Sequence, residues 1–176
     1  MGNLYIFRGK AATGKSTLSD MLAKHLSIFV IRIDDIVDAL KTTPGIDKSL
    51  VNNTVTFNII CKIIQTNLDL GVDFVIDVGL GDKSRAEKFY DRLNLFNHNV
   101  FSFYTICSDE KEWEQRHLKR IENPAPNQSF KSFEHVLEHY QNFDTSLLAN
   151  EHIIDSAYSL KECFDSIMKI INSCAE

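Results

Sequence analysis

The chain has 176 residues, 44% of them hydrophobic and 24% charged, enough for one folded domain with a substantial core. Its net charge of −5 and the lack of any long basic stretch argue against a nucleic-acid partner, and no apolar run approaches the ~20 residues a membrane span needs. Cys61, Cys107, Cys163 and Cys174 are too scattered for a zinc pair and read as free thiols; with no signal segment before the first strand, a cytoplasmic location is expected.

Leu4-Tyr5-Ile6-Phe7 is an apolar, β-favouring run. It leads into Gly9-Lys10-Ala11-Ala12-Thr13-Gly14-Lys15-Ser16, which fits G-x-x-x-x-G-K-[ST], the phosphate-binding loop. Leu18, Met21, Leu22 and Leu26 then recur at helical spacing. Residues 28–33 read as a second, buried strand that ends at Asp34 and Asp35, followed by a short helix through about Leu40. Thr42-Thr43-Pro44-Gly45 breaks that helix. A long helix is expected over 49–70, with Gly71 as its C-terminal cap.

The third strand covers 74–78 and precedes a Gly79-Leu80-Gly81 turn. The next helix, 83–96, places Ala86, Phe89, Tyr90, Leu93 and Phe96 on one face. A fourth strand spans 100–107, and Ser108 is the expected N-cap of a helix through Ile121. Residues 122–128 are loop-like, a helix follows over 133–143, and Ile153-Ile154 mark a short last strand. Ser159 and Glu162 form a capping box ahead of the final helix.

This alternation predicts an α/β fold: one domain over 1–176, three layers α/β/α, with a five-stranded, mostly parallel sheet. Ligands of such sheets bind at the carboxyl ends of strands, where Gly9, Asp34 and Asp77 all fall. In the loop, Gly9 and Gly14 allow the turns that point backbone N–H groups of Ala11, Ala12, Thr13, Gly14, Lys15, Ser16 and Thr17 at a phosphate chain. Lys15 is expected on the β- and γ-phosphates, and Ser16 on Mg²⁺ together with Asp77. Asp77 can alternatively be a strand-end carboxylate satisfied by loop amides.

Asp34 is the expected base for an acceptor hydroxyl, a role that contributes ~10²–10⁴-fold in rate. Asp35 is expected as a helix cap or secondary acceptor ligand; the alternative for either aspartate is capping alone. Arg116 and Arg120, four apart on one helix face, can close over phosphates below a lid, or Arg116 can pair with Glu112 or Glu122. Arg85 reads either as a ligand of acceptor or phosphate, or as a solvated arginine.

The phosphate loop, Ile33-Asp34-Asp35, Val75-Ile76-Asp77 and Gln115-Arg116-His117-Leu118-Lys119-Arg120 occur in an order that resembles the small P-loop kinases of the AAA-33 type. That group includes polynucleotide 5′-hydroxyl kinases, chloramphenicol phosphotransferase and zeta-toxin sugar-nucleotide kinases. The resemblance implies a nucleoside-kinase-like P-loop NTPase fold with a short lid at about 116–131, Asp34 as base and Arg120 as the lid arginine. Where polynucleotide kinases carry an arginine soon after the aspartate pair, this chain has Ile36, Val37 and Asp38. No N-K-x-D segment of the GTPases is present, and Val78 replaces the glutamate that water-activating ATPases carry after the strand-end aspartate. The expected function is Mg²⁺-dependent transfer of the ATP γ-phosphoryl group to a hydroxyl of a small metabolite, nucleoside, sugar or antibiotic, with residues 36–70 supplying the acceptor pocket. An ATP-binding regulatory module and a polynucleotide 5′-hydroxyl kinase are the alternatives. The sequence leaves the acceptor, the purine preference and the oligomeric state open.

Overall fold

The computed structural model describes residues 2–47, 51, 53–124 and 130–173. Among these residues the elements alternate as β1 (Asn3–Gly9), α1 (Lys15–Leu26), β2 (Phe29–Arg32), α2 (Ile33–Thr42), α3 (Asn53–Asp69), β3 (Phe74–Asp77), α4 (Lys83–Tyr90), β4 (Asn99–Ile106), α5 (Glu110–Glu122), α6 (Phe133–Tyr140), β5 (Glu151–Asp155) and α7 (Leu160–Ser173). All strand pairs are parallel, in the order β2-β3-β1-β4-β5. β1 is the central strand, so both of its faces must be covered, and its sequence is apolar on both. Leu4 and Ile6 join Ile60 and Ile64 of α3 and Phe89 of α4 on one side. Tyr5 and Phe7 meet Leu18 and Leu22 of α1 and Ile167 of α7 on the other. The result is the expected three-layer α/β/α arrangement.

Several boundaries differ from the sequence expectation, each for a physical reason. β2 is an edge strand, with Phe29 42% exposed and the rest only partly covered, so its apolar run is not the mark of a fully buried strand. Ile33 opens α2, which places Asp34 and Asp35 in the first helical turn, where the dipole favours carboxylates. Neither aspartate caps this helix: the N-cap position is Arg32, without a side-chain cap. β3 lies between β2 and the strand that carries the phosphate loop, so the end of β2 is not that loop's immediate neighbour.

α4 stops at Tyr90, short of the expected Phe96, which is 79% exposed. Gln65 of α3 explains the early end: its side chain accepts from the Asn94 N–H at 2.8 Å and donates to the Asn94 carbonyl at 3.3 Å, substituting for helical bonds. Asp109, not Ser108, caps α5, accepting from the Lys111 and Glu112 N–H groups. The Ser108 N–H instead donates to Asp155. The Gly71 cap (φ 76°) and the Ser159–Glu162 capping box form as expected. Of the expected lid, residues 125–129 and the start of the long helix at Ser49 lie outside the described residues; the lid's flanks are α5 and α6.

The largest wholly buried side chain among the described residues is charged. Arg8, one residue before the phosphate loop, donates from Nε and Nη2 to the Glu151 carboxylate at 2.6 and 2.5 Å. It also donates to the carbonyls of Leu80 and Ser146, and its guanidinium lies 4.2 Å from the centre of the Tyr104 ring. Glu151 accepts further bonds from Ser102 Oγ and the Leu148 N–H. This network joins β1, β4, β5 and the loop after β3. Removing one partner leaves the other charge buried and unpaired, which costs about 3–5 kcal/mol. Urea denaturation of Arg8→Met is therefore expected to show a loss of that order, and pairing it with Glu151→Leu is expected to restore part of the loss.

Candidate active site

The loop between β1 and α1 has a backbone that most residues resist. Gly9 has φ 145°, and a Cβ built there would stand 2.3 Å from the Thr105 carbonyl oxygen. Gly14, at φ 86°, is the N-cap of α1 and supplies no side-chain bond, so the first N–H groups of that helix stay open to a ligand. Ala12 holds a left-handed φ of 60°, rare for a residue with a side chain.

Side chains from elsewhere hold this shape. Thr13 Oγ1 donates to the Lys10 carbonyl and lies 2.8 Å from Thr105 Oγ1, which ties the loop to β4. Trp113 Nε1 of α5 donates to the Ala11 carbonyl, and the Ala11 N–H donates to the Tyr140 hydroxyl of α6, both at 2.8 Å. Lys10 Nζ sits over the rings of both aromatics, 5.5 and 5.4 Å from their centres.

A cleft of about 180 Å³ opens over the loop. Ala11, Ala12, Gly14, Lys15 and Ser16 form its floor, and Asp34, Asp77, Gly79, Arg120, Phe130 and Tyr140 its walls. Lys15 Nζ donates to the Lys10 carbonyl at 2.7 Å, and Ser16 Oγ donates to Asp77 Oδ2 at 2.6 Å. Burial pushes the Lys15 ammonium below its ordinary pKa, an effect that Asp77 opposes and Arg120 reinforces. Burial likewise pushes the Asp77 carboxyl up, against the pull of Lys15 and the Ser16 hydrogen bond.

The expected residues do not all converge on this cleft. Thr17 and Arg116 line an adjoining cleft of about 350 Å³, together with Ser156, Tyr158 and Leu160, while Arg120 borders both. The Arg116 guanidinium is held by Ser156 Oγ and the Ser156 carbonyl, both at 2.7 Å, and by Glu112 at 2.9 Å. The expected arginine pair is thus split: Arg120 faces the phosphate loop, and Arg116 is fixed beside it. Asp35 is no part of any described cleft wall; its exposed carboxylate lies 3.7 Å from Arg32. Arg85 meets Asp34 in a third, smaller cleft with Ile33, Val37, Phe57, Gly79 and Leu80. Gly9 and Thr13 shape the loop from behind.

Sequence reasoning missed Arg8, Thr105 and Ser156, which leave no local pattern, and also Trp113 and Tyr140. The available signal for the two aromatics was a polar handle on a large ring close to the expected lid. His117, wholly buried against Trp113, Phe130 and Phe133, was also passed over.

A parallel five-stranded sheet with this loop between its central strand and the following helix defines a P-loop NTPase domain. More narrowly, the chain belongs to the AAA_33 family, an AAA domain, whose model matches residues 4–144. No curated relative matches the sequence. Solved structures share the fold at low identity. A provisionally named kinase from Chloroflexus aurantiacus has a TM-score of 0.75 at 16% identity, over 97% of both chains. A gluconokinase from Sinorhizobium meliloti has a TM-score of 0.69 at 13% identity, over 99% of this chain and 93% of its own. The Mycobacterium tuberculosis APS kinase, solved with AMPPNP and APS, has a TM-score of 0.63 at 13% identity, over 99% and 98%. Among the described residues no helix is long and apolar enough to cross a membrane.

His117 gives this region a pH signature. Both ring nitrogens are buried, and burial, helped by Arg120 and Lys15 and opposed by the Ala11 backbone, lowers its pKa from 6.5 to about 4. The unfolded chain therefore binds a proton that the native state refuses between those values, and stability falls as pH drops from about 6.5 toward 4. Urea midpoints measured across that window are expected to decline for the wild type and to decline less for His117→Leu.

Proposed function

We propose that the protein is an ATP-dependent kinase that transfers the γ-phosphoryl group to a hydroxyl of a small molecule. The observation that carries this reading is a single cleft shared by Lys15, the Ser16–Asp77 pair, Asp34 and Arg120. The loop amides, apart from that of Ala11, which donates to Tyr140, hold the phosphates with Lys15, and Lys15 exchanges its present bond to the Lys10 carbonyl for a phosphate oxygen. The neighbouring cleft beside Thr17, Arg116 and Tyr158 takes the base and ribose.

The donor set fits Mg²⁺: a hydroxyl and a carboxylate oxygen already 2.6 Å apart at the rim of the loop. Ser16 and Asp77 would hold the ion, which supplies charge neutralisation on the phosphate oxygens when bound. Asp34 accepts the acceptor's proton as its oxygen bonds to the γ-phosphorus. The bond from that phosphorus to the bridging oxygen breaks, ADP leaves with the electron pair, and Asp34 returns its proton to solvent. Arg120 offsets the charge that builds on the departing phosphate.

The test is a γ-labelled ATP assay with Mg²⁺ and pooled alcohols, nucleosides and sugars, run alongside calorimetry with ATP. Asp34→Asn is expected to cut transfer by about 10²–10⁴-fold while leaving ATP affinity within about twofold. Undiminished transfer in that variant removes Asp34 from the role of base. ATP binding without any labelled acceptor, combined with ATP-dependent partner binding, favours a nucleotide-responsive module instead.

A further inference from the structure

The small cleft between α2, α3, α4 and the loop after β3 has a chemistry of its own, apart from the phosphate loop. Its walls are Ile33, Val37, Phe57 and Leu80, and of the described residues lining it only Asp34 and Arg85 carry polar side chains. A free sugar presents hydroxyls on all sides and would find few partners here. At about 130 Å³ the space is close to the roughly 150 Å³ of a cavity that accepts a benzene ring.

Asp34 and Gly79 line this cleft and the phosphate cleft alike, and nothing lies within 4 Å of where a Gly79 Cβ would stand. The junction between the two clefts is open, with a carboxylate on it. Arg85 stands at the other side, with its side chain exposed. Asp82 caps α4 by accepting from the Arg85 N–H at 3.1 Å, and the Arg85 guanidinium lies 5.4 Å from the Phe143 ring centre. Asp82 itself is engaged by Ser84 and by the Asp144 N–H. Arg85 makes no ion pair among the described residues. An exposed guanidinium at the edge of a space with apolar walls, its charge felt by Asp82 but not ion-paired to it, suits a planar anion.

Resting on the kinase reading for the identity of the site, we propose that the acceptor is a compact alcohol with an apolar body and one carboxylate. Its hydroxyl lies against Asp34 at the junction, and its carboxylate lies on Arg85. Arg85 is then a specificity-determining residue, and the site selects a hydroxy acid over a neutral polyol.

Calorimetric titration of the full chain, with and without a non-hydrolysable ATP analogue and Mg²⁺, tests this directly. The probes are hydroxycyclohexanecarboxylate and hydroxymethylbenzoate, their carboxamides, glucose and ribitol. The carboxylates are expected to bind about 10- to 100-fold tighter than the carboxamides. Arg85→Gln is expected to erase that preference with thermal melting unchanged, and Arg85→Lys to keep part of it. Equal binding of carboxamides or sugars, a preference that survives Arg85→Gln, or no measurable binding of either carboxylate each overturns the proposal. Because this readout needs no transfer, a γ-labelled ATP assay on the same probes separates the two readings. Carboxylate binding through Arg85 with no probe labelled at all sinks the kinase reading and leaves Arg85 as a carboxylate-binding residue only. Phosphorylation confined to neutral probes sinks the hydroxy-acid proposal alone.

Discussion

At the end of β1 the backbone of Gly9 approaches β4 so closely that a Cβ would stand 2.3 Å from the Thr105 oxygen, and the carboxyl edge of the sheet is arranged around that approach. Without it the chain could not turn at φ 145° and bring the following residues back over the strand ends. Thr105 serves the approach twice, by its carbonyl at Gly9 and by its hydroxyl at Thr13. Immediately before the turn, Arg8 is locked to Glu151 and to the carbonyls of Leu80 and Ser146. The loop therefore rests on a base that a buried ion pair makes stiff, and the same pair fixes the Leu80 segment that forms a wall of the cleft shared by Asp34 and Arg85.

On this base the cleft gathers charges that do not balance by themselves. Burial pushes Lys15 and Asp77 in opposite directions on the pKa scale, both toward neutrality. Each is partly rescued by the other, and Asp34 and Arg120 extend the same contest. Such a site gains from a ligand that brings both signs of charge at once. A nucleotide triphosphate accompanied by a divalent cation is a ligand of that kind, which is why the proposed reaction suits the electrostatics as well as the loop geometry.

The sheet was readable in the sequence because the central strands are buried on both faces and write uninterrupted apolar runs; 4–7 and 74–78 leave no ambiguity. The same reasoning overreached at β2, where an equally apolar run lies at an exposed edge, since hydrophobicity alone does not say how many faces are covered. The phosphate loop was legible because its constraint is local: two glycines, a lysine and a hydroxyl at fixed spacing. Arg8, Ser156 and the Gln65 bonds that end α4 were not, because each acts through a partner more than 25 residues away. Arg116 shows the limit most clearly. Its spacing from Arg120 predicts a shared task, but Ser156, 40 residues downstream, decides where its guanidinium goes.

Ala11 has both backbone polar groups occupied by aromatic side chains, its carbonyl by Trp113 and its N–H by Tyr140. These rings sit on α5 and α6, the helices on either side of the expected lid. Neither helix can swing away from the sheet without pulling on Ala11, one on the peptide unit before it and the other on the unit after it. The phosphate loop, α5 and α6 are thus geared together at one residue, so a ligand that shifts Ala11 would load both helices at once.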